Sequence, residues 1–267
     1  MSIRIATISL TVGLVLGATI FGASYSEAES IFSLSDSAKT NAELAHTQQK
    51  MTLDSQSLNQ LVANTGAGQL TVKGVEGQTQ IEVTADIYTD KDSDDVDIEL
   101  TLNKQGDNAM FVADIQSDGF MEHSPFIDVL ITVPTGLALD ITDGSGSITI
   151  SDVAANIKLK DGSGSIVMQK VGAVTLADGS GSINMKDVNG DVTLQDGSGS
   201  ISISQVAGDI EVSDGSGSIN IDQVNGKVTI SDGSGGINVS NTKGLEIVSA
   251  GSGGVNHQHI DGPIIVN

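Results

Sequence analysis

The 267-residue sequence contains no cysteine and no tryptophan. The first absence excludes disulfides, iron–sulfur clusters, thiolate zinc and a lipid-modified cysteine. Aromatic side chains are few: the last is Phe126, and 141 residues follow without a ring. The C-terminal half therefore lacks a stacking platform for sugar faces or bases. Positive charge is scarce too. Twelve basic residues stand against 34 acidic ones, a formal net charge of −22, and Arg4 is the only arginine. Phosphate binding needs clustered cations, so this balance argues against a nucleic-acid partner. It argues equally against tight recognition of acidic polysaccharide, which relies on guanidinium forks.

Only one apolar run is long. Arg4 is followed by apolar sequence from Ile5 to about Ala23, then by Ser24-Tyr25-Ser26-Glu27-Ala28. Ser26 and Ala28 suit the −3 and −1 positions of a signal-peptidase site, so residues 1–28 read as an export signal. An uncleaved anchor is the competing reading, because the run can just span a bilayer. After cleavage no segment is expected to insert into a membrane. Residues 29–49 are polar and weakly patterned and read as a linker with some helical character.

The dominant feature is a repeat. DGSGSI begins at Asp143, Asp161, Asp178, Asp196 and Asp214, DGSGGI at Asp232 and AGSGGV at Ala250. The spacings are 18, 17, 18, 18, 18 and 18 residues. Between copies the pattern is I-x-I-x-x-V-x-G-x-V-x-L-x. Each unit thus holds two short alternating runs, such as Ile201-Ser202-Ile203 and Ile210-Glu211-Val212. Alternation of this kind predicts strands with one buried face. Gly-Ser-Gly ends each unit, and Asn189-Gly190 or Asn225-Gly226 separates its strands.

Units that repeat the same residues in the same order stack most naturally in parallel. The predicted fold is all-β: a parallel β-helix, or β-solenoid, with about 18 residues and two short strands per coil and about 4.8 Å of rise. Each coil is expected to bury a set such as Ile219, Ile221, Val224, Val228 and Ile230. The short spacing supports the stack. Val171 to Val174 is three residues where Val188 to Val192 is four, so the deletion falls in a turn and spares strand register. Residues 143–267 form the regular coils in this reading, and residues 50–142 form divergent coils and an N-terminal cap. Within the latter, residues 65–72 with Gln80-Ile81-Glu82-Val83 look like a divergent coil. Val96 to Leu102 and Ala109 to Ile115 look like a hairpin.

The order GAGQLTVKGV, FIDVLITVPTGLALDIT and serial DGSGSI coils resembles the bacterial putative-adhesin β-solenoid domains over roughly residues 55–267. That resemblance implies an exported cell-envelope or surface protein and brings no catalytic residues with it. The near-invariance of the coils departs from the family and points to a stacked scaffold rather than one specialised pocket.

Several constellations invite a chemical reading. Asp143, Asp161, Asp178, Asp196, Asp214 and Asp232 would form a ladder along one edge, with neighbours about 5 Å apart. Calcium could neutralise such a ladder, as in Gly/Asp-rich β-rolls, which makes these six the candidate metal ligands. The competing role is turn chemistry, with each carboxylate accepting from the following backbone amides. Asp90, Asp92, Asp94, Asp95, Asp97 and Glu99 begin like a calcium loop, but Asp95 and Thr101 occupy positions where an EF-hand needs glycine and glutamate. His257 and His259 at i, i+2 share a strand face beside Asp261, without an evident third ligand. His46 and His123 stand alone. Two serine columns, represented by Ser163 and Ser165, have no histidine to activate them. Catalysis on a β-helix by paired carboxylates is usually accompanied by long loops, which these coils lack.

The sequence therefore predicts an exported, non-enzymatic solenoid in the periplasm, outside the cell or on its surface. It would serve as an envelope or surface scaffold, or as an adhesin-like module for a ligand that the sequence does not name. A calcium-stabilised β-roll-like protein is the alternative, and a polysaccharide-acting β-helix enzyme ranks third. No other cofactor is expected.

Overall fold

A computed structural model describes residues 44–90, 96–117 and 124–267. The signal segment and positions 29–43 lie outside them. The described residues are all-β. Among them no helix is long and apolar enough to cross a membrane.

The regular coils follow directly from the repeat. After β8 (Ala138–Ser151) come β9 (Ile157–Asp161), β10 (Gly164–Val171), β11 (Val174–Asp178), β12 (Gly181–Val188) and β13 (Val192–Asp196). The series continues with β14 (Gly199–Val206), β15 (Ile210–Asp214), β16 (Gly217–Asp232), β17 (Gly235–Ser249), β18 (Val255–Ile260) and β19 (Ile264–Val266). Every pairing within this series is parallel and joins equivalent positions of successive coils. Ile166, Ile183, Ile201, Ile219 and Ile237 lie one above another on one sheet. Leu176, Leu194, Val212, Ile230 and Ile247 do so on the other. All ten are buried and form the aliphatic spine. The short coil keeps register as expected, with Val171 opposite Val188 and Val174 opposite Val192.

Two backbone features turn the chain at each corner. The first explains the odd spacing in I-x-I-x-x-V. A valine three residues after an inward isoleucine would face out in a regular strand. The residue before it, however, is left-handed in every coil: φ is 58° at Asp152, 54° at Lys170, 58° at Asp187, 59° at Gln205 and 58° at Gln223. That conformation reverses the phase, and Val153, Val171, Val188, Val206 and Val224 turn inward. Asn and Asp tolerate such a backbone better than Lys or Gln. The second feature is the later glycine of D-G-S-G. Gly199 has φ 145°, and a Cβ there would lie 1.7 Å from the carbonyl oxygen of Gly181 in the coil beneath. Glycine is thus required by both dihedral and proximity.

The N-terminal part is more mixed. β2 (Gln60–Ala67) and β3 (Leu70–Val75) pair in parallel with the two halves of β8. The parallel stack therefore starts at residue 60, before the regular repeats. The strand containing Gln80 to Val83 does not belong to that coil. It is β4 (Gln80–Asp90), antiparallel to β1 (Leu44–Asp54) on one side and β7 (Phe126–Pro134) on the other. β1 also shortens the predicted linker, since positions 44–49 are strand. The expected hairpin is present as β5 (Val96–Gln105) and β6 (Asn108–Ser117), with β6 parallel to β2.

The close approach between coils predicts a sharp contrast between two glycines. Gly199→Ala should destabilise the protein by about 3 kcal/mol or more, because the backbone of two coils must move. Gly236→Ala, where a Cβ would meet nothing within 4 Å, should change stability by less than about 0.5 kcal/mol. Urea unfolding followed by circular dichroism checks both, and equal effects would contradict the stacking geometry.

Candidate functional site: an inward aspartate column and a polar trough

The six ladder aspartates are brought together, but not on an outer edge. In V-x-L-x-D the aspartate is two residues after an inward leucine, so it continues the buried phase of its strand. The pattern of Ile157–Asp161 alternates buried and exposed and ends buried. Asp143, Asp161, Asp178, Asp196, Asp214 and Asp232 are only 1–7% exposed. Paired strands hold them in register, Asp161 to Asp178 to Asp196 to Asp214 to Asp232. The ladder in register expected from the sequence is present, and the alternation carries its side chains into the corner of the core.

One oxygen of most carboxylates closes the Asp-Gly-Ser-Gly turn. The amide of Ser180 donates to Asp178 Oδ1 at 3.3 Å, Ser198 to Asp196 at 3.2 Å, Ser216 to Asp214 at 3.2 Å and Ser234 to Asp232 at 3.0 Å. The Thr65 hydroxyl donates to Asp143 Oδ1. The other oxygen, Oδ2, is buried without a partner at Asp143, Asp178, Asp196, Asp214 and Asp232, and at Asp161 both are. The amides of Gly162 and Ser163 face Asp161 without reaching hydrogen-bonding geometry, and they only oppose its shift.

Burial and stacking together favour the neutral acid. Burial, and then the charge of Asp143, pushes Asp161 up to about 6. Burial and the neighbours Asp161 and Asp196 push Asp178 to about 6. Burial and Asp196 push Asp214 to about 6 as well. Burial raises Asp143 against the Thr65 hydroxyl, and raises Asp196 against the amides of Ser198 and Gly197. Protons shared along the column are the simplest way to relieve it.

The donor set does not fit a resident calcium ion. Calcium takes roughly six to eight oxygens, whereas each rung offers one free, buried carboxylate oxygen, or two at Asp161. No three acidic or histidine side chains converge on one point among the described residues.

The other sequence candidates are dispersed. Asp92, Asp94, Asp95 and His123 lie outside the described residues. Asp97 and Glu99 sit on β5, away from the column. His257 and His259 do not share a face. His257 takes the inward register of Val239, while His259 is the left-handed corner residue of its coil, with φ 52°. Ser182 donates to Ser165 at 3.2 Å, and the serine columns line coil corners. His46 is not isolated. It accompanies Asp86 at 2.8 Å and stacks on Tyr88 at 4.8 Å, which stacks on Phe126 at 4.7 Å. Burial and the nearby Asp86 and Asp128 raise the Tyr88 hydroxyl.

A second arrangement escaped the sequence pattern. The left-handed corners form one wall of a straight trough of about 670 Å3 spanning five coils. Asp187, Gln205, Gln223, Asn241 and His259 make that wall, Asn189, Ala207, Asn225, Lys243 and Asp261 line the other side, and the buried, inward-turned Val188, Val206 and Val224 lie between. At one end Lys243 pairs with Asp261 at 2.7 Å, and Asn241 donates to Asp222 at 2.6 Å. Gln205, Gln223, Asn189 and Asn225 make no side-chain hydrogen bond among the described residues and are exposed. The odd spacing before each valine was the available signal.

No protein-family model matches the chain, and no curated protein matches it. Solved structures do. A putative cell adhesion protein from Clostridium sporogenes is 12% identical, with 83% of this chain and 99% of that one covered and a TM-score of 0.38. A putative lipid binding protein from Parabacteroides distasonis is 15% identical, with 82% and 96% covered and a TM-score of 0.41. A putative adhesin from Parabacteroides merdae is 14% identical, with 83% and 96% covered and a TM-score of 0.40.

The raised aspartates set the sign of the pH dependence. Unfolded aspartates lose their protons near pH 4, whereas Asp161, Asp178 and Asp214 hold theirs to about pH 6. The folded chain binds more protons between those values, so stability falls as pH rises from about 4 to 7. The melting temperature should be higher at pH 5 than at pH 8. Asp178→Asn and Asp214→Asn should stabilise at pH 8, on the order of 1 kcal/mol each once solvent screening is allowed for, and reduce the difference. Variants that melt lower than the parent at pH 8 would contradict a strained column, and a large rise on adding calcium would restore the metal reading.

Proposed function

We propose that the protein is an exported, non-enzymatic β-solenoid that serves as a cell-envelope or surface scaffold and adhesin-like binding module. The observation that carries this reading is the in-register stacking of outward, mostly polar positions on successive coils. Positions equivalent to Thr175 run Lys158, Thr175, Thr193, Glu211, Thr229 and Glu246 along one face, polar at every rung. Asn220, Asn238 and Asn256 form a hydrogen-bonded amide column on another, at 2.9 and 3.1 Å. Such a rod presents extended, repeated surfaces, as stacked-repeat proteins do.

The acids of the column and of the trough do not form an accessible catalytic pair. The column aspartates are buried, and the trough carboxylates Asp187 and Asp261 are four coils apart, roughly 19 Å. Glycosidase pairs stand within about 10 Å of each other. Export rests on Arg4, the apolar run after it and the Ser26 and Ala28 cleavage pattern. The strong negative charge keeps such rods apart and discourages pairing at strand edges.

Fractionation of the producing cells, followed by N-terminal sequencing, tests export. The expected product is envelope-associated or extracellular and begins at Glu29; a cytoplasmic protein beginning at Met1 would overturn it. Adsorption of the purified protein to envelope material tests the binding role, and complete recovery in the unbound fraction would count against it.

A further inference from the structure

We propose that the corner trough is a binding site for a linear, uncharged glycan laid along the rod axis. This rests on the surface-binding reading above and gives it a ligand class and a place. Three features of the trough lead there.

The first is periodicity. Equivalent positions recur once per coil, about every 4.8 Å along the axis, and they are polar at every rung on the wall of Asp187, Gln205, Gln223, Asn241 and His259, while Ala207 interrupts the other wall between Asn189 and Asn225. An extended glycan with equatorial 1,4 linkages advances by a similar step per sugar, so one ring can meet one rung over the five coils of the trough. An extended peptide advances about 3.3 Å per residue and falls out of step with the rungs.

The second is hydrogen-bonding capacity. Gln205 and Gln223 on one wall, and Asn189 and Asn225 on the other, each carry a carbonyl acceptor and two N–H donors. Sugar hydroxyls likewise donate and accept. These amides are exposed, and among the described residues no protein group takes up their side-chain hydrogen bonds. The outward asparagine column differs, since Asn238 donates to Asn220 and Asn256 to Asn238. Its amides are engaged with one another, whereas those of the trough are available.

The third is charge. In the middle of the trough the walls are uncharged, with Gln205, Gln223 and Asn225 beside Ala207, and the lysine at its end is already paired with Asp261 at 2.7 Å. With a chain charge of −22 around it, the trough repels acidic polymers. Each contact is weak, and affinity accumulates with the number of rungs engaged.

The test is isothermal titration of the full mature chain with cellohexaose and chitohexaose, and with oligogalacturonate as the acidic control. Binding of at least one neutral hexamer, with the disaccharide much weaker and the acidic oligomer silent, is the expected result. Gln205→Gly with Gln223→Gly removes two amides while easing the left-handed corners. This double variant should fold, judged by circular dichroism, and lose at least tenfold in affinity. Asn184→Ala, on an outward strand face, should bind as the parent does. Absence of binding to both neutral hexamers, or equal affinity in the parent and the double variant, overturns the proposal. The same variants assayed on envelope material separate the two readings. Adsorption that persists undiminished in the double variant sinks the trough and leaves the surface-binding role standing, whereas a parent protein that never adsorbs sinks that role itself.

Discussion

Every coil must lie in register on the coil beneath it, at backbone contact. That constraint decides most of what is unusual about this sequence. Where Gly199 stands on Gly181, there is no room for a Cβ. Where the chain turns between its two strands, one residue must be left-handed for the following valine to point inward. Where the second strand ends, its phase sends an aspartate into the core. The repeat is nearly invariant because each unit is the floor of the next, and a side chain that fits one rung must also fit the rung above.

The same stacking has an electrostatic consequence. One turn-capping aspartate is an ordinary device, but six in register are a column of acids at one coil rise, each with an oxygen that nothing satisfies. The turn hydrogen bonds hold the D-G-S-G corner in shape, and the burial that comes with them raises the carboxyls of Asp143, Asp161, Asp178, Asp196 and Asp214. Structure and charge are therefore opposed along the column, and solution pH sets the balance. On the outside, stacking has the opposite effect. Isolated polar residues of no distinction become rows, and the amides beside the left-handed corners become two walls facing each other.

Much of the architecture was legible in the sequence because it is local or strictly periodic. Alternation revealed the strands, the recurrence of DGSGSI revealed the parallel stack, and the shortened span from Val171 to Val174 revealed where a residue can be lost without a change of register. The inward aspartates were legible in principle, since V-x-L-x-D places Asp161 in phase with Ile157 and Leu159. Their polarity and the glycine after them suggested a turn, which says nothing about burial. The trough followed from x-x-V in the same way, an odd spacing that only a left-handed residue reconciles with an inward valine. Other features were not legible at all. β4 returns antiparallel between β1 and β7, and the stacking of His46 on Tyr88 and of Tyr88 on Phe126 depends on that pairing of distant segments. The separation of His257 from His259 depends on the dihedral at His259.

The stack itself can be tested most directly by cross-linking, because the natural chain has no cysteine to confuse the result. Ser202 and Asn220 are directly opposed on neighbouring coils and face outward, whereas Asn238 is one coil further on. Ser202→Cys with Asn220→Cys places the two Cα atoms about 5 Å apart, within disulfide range. Ser202→Cys with Asn238→Cys places them roughly 10 Å apart, outside it. Parallel coils predict rapid, near-complete oxidation of the first pair and none of the second within the monomer. Failure of the first pair to close in a folded protein, or equal closure of both, would contradict the in-register solenoid.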